Sequence, residues 1–322
     1  MKILLTGGAG YVGSVLTRQL ISEGHQVRVL DYLAHGGESL LGVWGHPGFE
    51  FIRGDVRDSE TVRAAVSGRD AVVHLAAIVG DPACSRNPEL ARAINLDASL
   101  ALIEESQHAG VERFIFASTC SNYGKMKDAT QYVDEDSELS PVSLYAETKV
   151  AVEMALLRSG LRDGWCPTSL RFATIFGVSP RMRFDLTVNE FTMEMLTKGH
   201  LKVFGEQFWR PYIHVSDAAR AIQLVLGSPA ASVGGQVFNA GATDQNFQKK
   251  QLIDLIRPYA PNAGVELVHK NEDPRDYRVS FARISSRLGF GITRTVAQGI
   301  EEVARLVKEN VISDFAQEKY RN

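Results

Sequence analysis

The feature that most restricts how this chain can fold lies at its start. Lys2-Ile-Leu-Leu-Thr6 runs into Gly7-Gly-Ala-Gly10-Tyr11-Val12-Gly13 and then into apolar positions Val15, Leu16, Leu20 and Ile21. A short apolar strand, a glycine turn and a segment of helical period follow one another without spare residues. Glycines at 7, 10 and 13 let the turn close, let a pyrophosphate approach the backbone and let helix pack on strand. The N-terminus of the helix that follows faces phosphate charge with free N–H groups, and Tyr11 and Val12 of the turn are candidate cofactor-binding residues. Glycine-rich turns are common in loops, but here a strand precedes and a helix follows. The second strand, Gln26-Val-Arg-Val-Leu30, ends in Asp31, eighteen residues past Gly13. A carboxylate there is placed to bind a ribose 2′-hydroxyl and to repel a 2′-phosphate, which favours NAD over NADP. A solvated Asp closing a strand is the plainer alternative.

The same alternation continues. Phe49-Glu-Phe-Ile52 followed by Gly54-Asp55-Val56 reads as a third strand with its loop on the ligand side. Asp55 either accepts from an adenine amino group or caps the helix that begins near Arg57-Asp-Ser-Glu60. Ala71-Val-Val-His-Leu75 is an apolar run of the kind buried on both faces of a parallel sheet, and the small Ala76 and Ala77 after it allow close approach of a cofactor. His74 inside that run reads as a satisfied core histidine. A loop, Val79-Gly-Asp-Pro-Ala-Cys84, leads to a helical pattern from about Pro88 to Ala109. The fifth strand, Arg113-Phe-Ile-Phe-Ala117, delivers Ser118, Thr119 and Cys120 to the same edge. Strand–helix units in this order predict an α/β protein with a doubly wound parallel sheet.

Beyond the fifth strand comes Ser140-Pro-Val-Ser-Leu-Tyr145-Ala-Glu-Thr-Lys149. Residues four apart share one helix face, so a helix here sets Tyr145 and Lys149 side by side. A phenol titrates near pH ~10 and is a poor base at neutrality; an adjacent ammonium favours the phenolate. Such a pair suits removal of a hydroxyl proton while hydride leaves the carbon beneath it, and the glycine turn supplies the place for a hydride acceptor.

Composition narrows the rest. At 322 residues, 44% hydrophobic and 23% charged, the chain exceeds one typical domain and has the make-up of a soluble enzyme. No stretch approaches the roughly 20 apolar residues that span a bilayer, and Met1-Lys-Ile-Leu-Leu-Thr6 enters the glycines without a cleavage region. Three cysteines, Cys84, Cys120 and Cys166, cannot all pair and show no metal-ligand spacing. A net charge of -3 gives no case for nucleic acid or membrane surfaces. A cytoplasmic protein is the expectation.

Gly7-Gly-Ala-Gly-Tyr-Val-Gly13, Asp31, Gly54-Asp55-Val56, His74-Leu75-Ala76-Ala77, Ser118-Thr119 before Asn122-Tyr-Gly124, and Tyr145-Ala-Glu-Thr-Lys149 together resemble the extended short-chain dehydrogenase/reductases, in the nucleotide-sugar epimerase/dehydratase branch. The likeness continues through Leu170-Arg-Phe-Ala-Thr-Ile-Phe-Gly177, Trp209-Arg-Pro-Tyr-Ile-His-Val-Ser-Asp217, Val237-Phe-Asn-Ala-Gly241 and Leu288-Gly-Phe290, and so covers nearly the whole chain. The resemblance implies a Rossmann-type NAD-binding domain over 1–177. It also implies a smaller α+β domain, mainly 178–322, that binds a nucleotide-diphosphate sugar, with segments around 210–240 returning to the Rossmann sheet. Thr119 would hydrogen-bond the substrate hydroxyl being oxidised, Tyr145 would be the acid/base, and Lys149 would hold the nicotinamide ribose and tune the tyrosine. Asn189 matches a residue that binds the diphosphate, and Arg210 an arginine that contacts phosphate. Arg275 and Arg278 are candidates for a second phosphate contact, since guanidinium makes paired bonds to phosphate; a structural ion pair is the alternative for Arg278. Relatives usually form homodimers through two helices, here the stripes Leu96, Leu100, Ile103 and Val150, Met154, Leu157, although core packing uses the same spacing.

The departures from the family pattern bear on the reaction. Sugar 4,6-dehydratases of the family place Asp and Glu directly after the catalytic Thr, where this chain has Cys120 and Ser121. Uronic-acid decarboxylases usually carry a Glu in this stretch. Thr174 stands where an Asn often binds substrate. The expectation is therefore an NAD-dependent epimerase that inverts C4 of a nucleotide sugar by transient oxidation. Three alternatives stand beside it: an NAD(P)H-dependent reductase of a 4-keto-6-deoxy sugar, a 3- or 5-epimerase using Cys120, and a dinucleotide-binding sensor without chemistry. Against the second, Cys120 also reads as a small buried inert residue.

Overall fold

Strand and helix alternate from the first residues. In the computed structural model, which describes residues 1–126, 128, 131–270 and 275–322, β1 (Lys2–Thr6) leads through α1 (Tyr11–Ser22) and β2 (Gln26–Asp31) to β3 (Phe49–Arg53) and α2 (Ser59–Val66). After β4 (Ala71–His74) come α3 (Asp81–Arg86), α4 (Pro88–Arg92), a π-helical turn over Ala93–Asp97, and α5 (Ala98–His108). β5 (Arg113–Thr119), α6 (Leu144–Arg158) and β6 (Cys166–Phe172) follow. The chain then runs through β7 (Thr174–Phe176), α7 (Thr187–Thr197), β8 (His200–Phe204), β9 (Trp209–His214), α8 (Val215–Gly227), α9 (Ala230–Val233) and β10 (Gln236–Ala240). It closes with β11 (Asn246–Gln248), α10 (Lys249–Ile256), β12 (Gly264–Val268), α11 (Ala282–Leu288) and α12 (Val296–Lys308).

The described residues form a seven-stranded sheet in the order β10-β6-β5-β4-β1-β2-β3 with every neighbouring pair parallel, a Rossmann-like arrangement. The order reverses between β1 and β4, and ligands of open α/β sheets bind beyond the carboxyl ends of the strands at that switch. β10 joins this sheet and α8 packs on α1, while β9 pairs with β7 and β11 in a small sheet, and β8 pairs with β12 in another. Among the described residues no helix is long and apolar enough to cross a membrane.

Alternation along each strand explains the continuous apolar runs. Ile3 and Leu5 of β1 and Ile115 of β5 enter one core with α1 and α8, while Leu4, Phe114 and Phe116 enter the other with α2, α5 and α6. Both faces are covered, so alternation of polarity has no place in these strands. His74 fits the core as read: its Nδ1 lies 2.7 Å from Thr6 Oγ1 and its Nε2 2.8 Å from Ser99 Oγ, and burial lowers its pKa to about 3.

Two local departures shape the site. The helical run over Pro88–His108 is interrupted by the π turn, and its extra residue aims Asn95 inward. There Asn95 clamps the loop after β4, accepting from Ile78 N–H at 2.8 Å and donating to Ile78 O at 2.9 Å. π turns of this kind recur at functional sites. The other is a buried polar knot. Arg171 of β6 forks onto Glu153 of α6, with Nη2 to Oε1 at 2.6 Å and Nε to Oε1 at 3.0 Å. Ser169 Oγ donates to Glu153 Oε2 at 2.8 Å, and Arg171 Nη1 donates to Tyr123 Oη at 2.9 Å.

Candidate active site

α6 begins where the sequence offers a cap. Ser143 is extended and its hydroxyl accepts from Ala146 N–H, closing the first turn. That start fixes Tyr145 in the first turn and Lys149 one turn later, facing the end of β5. Lys149 Nζ donates to Ala117 O at 2.8 Å, lies 4.6 Å from the Phe116 ring centre and 6.0 Å from that of Tyr145, and is brought down to about 8 by burial. Thr119 ends β5; its Oγ1 accepts from Ser121 N–H at 3.1 Å, so its own proton can go to a substrate oxygen. Among the described residues nothing hydrogen-bonds Tyr145 Oη. The expected lowering of this phenol by the ammonium is reversed here. Burial pushes its pKa up, Cys84, Asp81 and Tyr277 push the same way, and Arg183 opposes them. Desolvation is the largest of these causes.

Around the trio the structure sorts the expected substrate residues. Cys120 is 1% exposed, its Sγ donates to Arg171 O at 3.2 Å, and burial pushes the thiol well above its ordinary value. It is therefore not a substrate contact but part of the core behind Thr119. Ser121 does face inward, its Oγ 3.3 Å from Tyr277 Oη. Thr174 is half-buried at the start of β7. Arg210 is 8% exposed, donates from Nη1 to Trp209 O at 2.6 Å, and lies over the Tyr277 ring. Arg275 donates to Asp81 Oδ2 at 2.8 Å, while Asp81 Oδ1 accepts from Ser143 Oγ at 2.6 Å. One carboxylate thus joins the loop after β4, the cap of α6 and the C-terminal part of the chain. Arg278 stacks between Tyr132 and Trp209, with 4.6 and 5.0 Å to the ring centres.

Asn189 requires a correction. It is fully buried, and its amide is used by the protein: Oδ1 accepts from Gly177 N–H at 3.0 Å, and Nδ2 donates to Arg183 O at 2.9 Å and to Tyr11 Oη at 3.2 Å. A carboxamide so committed cannot also hold a diphosphate. The Tyr11 ring is spent in the same knot, donating from Oη to Gly177 O at 2.6 Å, so Tyr11 has its main-chain N–H to offer a ligand.

On the other side of the switch point, the residues fit a dinucleotide. A Cβ on Gly13 would come 2.1 Å from Gly7 O, and one on Gly7, whose φ is +74, would come 2.8 Å from Ala76 N. The turn is thus closed against α1 and against Leu75-Ala76-Ala77 as tightly as glycine allows. At Gly10 a Cβ would meet only Gly7 O at 3.1 Å and otherwise project into open space in front of α1, whose start no side chain caps. Asp31 closes β2 with Oδ2 accepting from Ala9 N–H at 2.9 Å and Oδ1 from Leu33 N–H at 2.8 Å, and burial raises its pKa. Asp55 is not the helix cap: Asp58 accepts from Glu60 N–H in that role, and Asp55 is forked by Arg57, with Nη2 to Oδ2 at 2.6 Å. Val56 is buried beside it. Sequence reasoning did not point to Asn95, Tyr277 or the Asp81–Ser143–Arg275 bridge. Only Asp81 carried a signal, as an acid placed directly after a loop glycine.

Comparison with known proteins gives the family. The NAD dependent epimerase/dehydratase family matches residues 3–241. A dTDP-glucose 4,6-dehydratase from Streptomyces niveus is 30% identical, over 96% of this chain and 94% of its own. A UDP-glucose 4-epimerase from Corynebacterium glutamicum is 28% identical, over 94% of each chain. The crystal structure of Thermus thermophilus UDP-glucose 4-epimerase in complex with NAD superposes with a TM-score of 0.83 at 26% identity, covering 96% of this chain and 99% of the other.

Proposed function

From the premise that the chain belongs to the NAD-dependent epimerase/dehydratase family, we propose that it is a nucleotide-sugar 4-epimerase. NAD is the cofactor of this family, and when bound it supplies the group that takes hydride from the sugar and gives it back. Tyr145 Oη accepts the proton of the C4 hydroxyl, directly or through Thr119 Oγ1, and later returns it to the alcohol. Lys149 keeps the phenol's surroundings cationic. Arg210 and Arg275 face the diphosphate end of the substrate. The 4-keto sugar is planar at C4, so turning the ring before hydride returns inverts the hydroxyl.

What carries this reading against dehydration is the position after Thr119. A dehydratase needs an acid and a base there to expel the 6-hydroxyl and take the C5 proton. Cys120 has its thiol in the core, on Arg171 O, and Ser121 is a neutral hydroxyl. The same burial removes Cys120 from a 3- or 5-epimerase role. The test is incubation of the purified protein, without added cofactor, with UDP-, GDP-, CDP- and dTDP-sugars in deuterium oxide, followed by NMR. A C4 epimer with no deuterium at C3 or C5 is the expected product. A 4-keto-6-deoxy sugar or deuterium at those carbons would sink the reading, and reaction only after a 4-keto sugar and NAD(P)H are supplied would make the protein a ketoreductase.

The same proposal extends to assembly as a homodimer through α5 and α6. Leu100 and Met154 point outward, 37% and 52% exposed, whereas Ile103 is buried and serves the core. Sedimentation should give twice the 35.4 kDa chain mass at micromolar protein; a monomer mass would overturn the pairing.

A further inference from the structure

Arg181 has no part in the site described so far, yet it lies beside it. Its segment is stitched to the start of α1: Ser179 Oγ donates to Tyr11 O at 2.6 Å, and the Ser14 and Ser179 hydroxyls are 3.1 Å apart. The side chain is 6% exposed. Nη2 donates to Arg321 O at 2.9 Å and to Asn322 Oδ1 at 2.8 Å, both neutral acceptors, and Nε is buried without a partner. Neither nearby acid serves it. Arg183 forks Asp185 through Nε at 2.9 Å and Nη2 at 2.6 Å, and Asp31 is held by main-chain N–H groups. Burial, reinforced by the Arg183 cation, lowers Arg181 to about 10, while Asp185, Tyr11 and Asp31 act in the opposite sense. The Ser179 contacts set this segment beside the start of α1, where the glycine turn ends. Both arginines also help hold His35 neutral there, second to burial, at about 4.

A guanidinium keeps its charge at any ordinary pH, and a buried charge without a counter-ion is costly. One so placed, with an open donor, is a site for an anion that arrives with a ligand. The anionic groups of NAD are its two phosphates. We propose that Arg181 is a cofactor-holding residue that donates to a phosphate oxygen of bound NAD, with the segment Phe315–Asn322 keeping it in position. That segment is anchored independently of Arg181, since Phe184 N–H donates to Tyr320 O at 2.9 Å and the Phe184 ring packs edge-on against Phe315 and Tyr320. The arrangement would retain NAD through repeated turnovers, and it holds whichever reaction follows.

The test is Arg181→Met in the full chain, stripped of cofactor, with NAD affinity measured by calorimetry and unfolding by circular dichroism. Loss of a charge-assisted phosphate bond should weaken NAD binding about 10- to 100-fold and reduce the NAD that co-purifies. The melting temperature of the cofactor-free variant should not fall, because the substitution removes an uncompensated buried charge. Unchanged NAD affinity overturns the proposal, and a lower cofactor-free melting temperature with wild-type affinity would show that Arg181 only anchors the tail. A loss confined to NADP would make it a reader of a 2′-phosphate, which also overturns the proposal. Should the Met variant not fold, Arg181→Lys decides: charge without the fork should weaken NAD several-fold, and wild-type affinity counts against the assignment.

Discussion

Replacing Tyr145 by Phe should lower turnover of the sugar nucleotide by about 10²- to 10⁴-fold, the range for losing a positioned acid/base, while leaving the fold and the NAD content intact. The substitution removes only Oη, to which no described residue hydrogen-bonds, so no protein group is orphaned by the change. The ring remains beside Lys149. The sign of the pH dependence follows from the direction of the shift. Burial raises the phenol above its ordinary value, so the phenolate is scarce near neutrality and the wild-type rate should climb as pH rises. Cys84, Asp81 and Tyr277 strengthen that shift and Arg183 weakens it. In the Phe variant the climb should vanish. NMR progress curves across pH on both proteins check this; a variant with wild-type turnover would mean that Tyr145 is not the acid/base.

The second large effect is on stability. Glu153→Gln or Arg171→Met alone should cost about 3–5 kcal/mol, because each leaves one charge buried and unpaired. Glu153 and Arg171 are 1% and 4% exposed, so water cannot take over the lost partner. The double variant Arg171→Met with Glu153→Leu should recover most of the loss, since an apolar pair of similar volume replaces an ion pair at little net cost. The site should feel the single changes too. Glu153 lies one turn beyond Lys149 on α6, and Arg171 O holds the Cys120 thiol behind Thr119. Denaturant unfolding of the singles and the double decides; singles within about 1 kcal/mol of wild type would place the pair among weak surface-like bridges.

What was readable in the sequence was what short-range geometry dictates. Strand, glycine turn and helix occupy residues 2–22, Asp31 ends the adjoining strand, and Tyr145 and Lys149 are bound by a single helical turn. Each follows from spacing alone. The missed contacts join distant parts of the chain: Asp81 meets Ser143 across 62 positions and Arg275 across 194, and Asn189 reaches Tyr11 across 178. No local pattern encodes them. Asn189 shows the hazard of matching by position, for a polar residue in a helix near a ligand site can as well serve to satisfy a loop. Cys120 shows the reverse, since its residue type already favoured burial. The π turn escaped because one extra residue barely disturbs an apolar stripe.

The strand β10 has a bearing on synthesis. It closes the edge of β6, every residue of which is buried in the finished protein. As the chain is made, β6 is complete 63 residues before β10 begins. At about 5–20 residues per second that leaves an unpaired strand edge waiting for about 3–13 s, the kind of edge that invites pairing with another chain. The nascent protein thus passes through an interval in which protection by a chaperone, or the ribosome's own shielding, matters more than the stability of the finished fold.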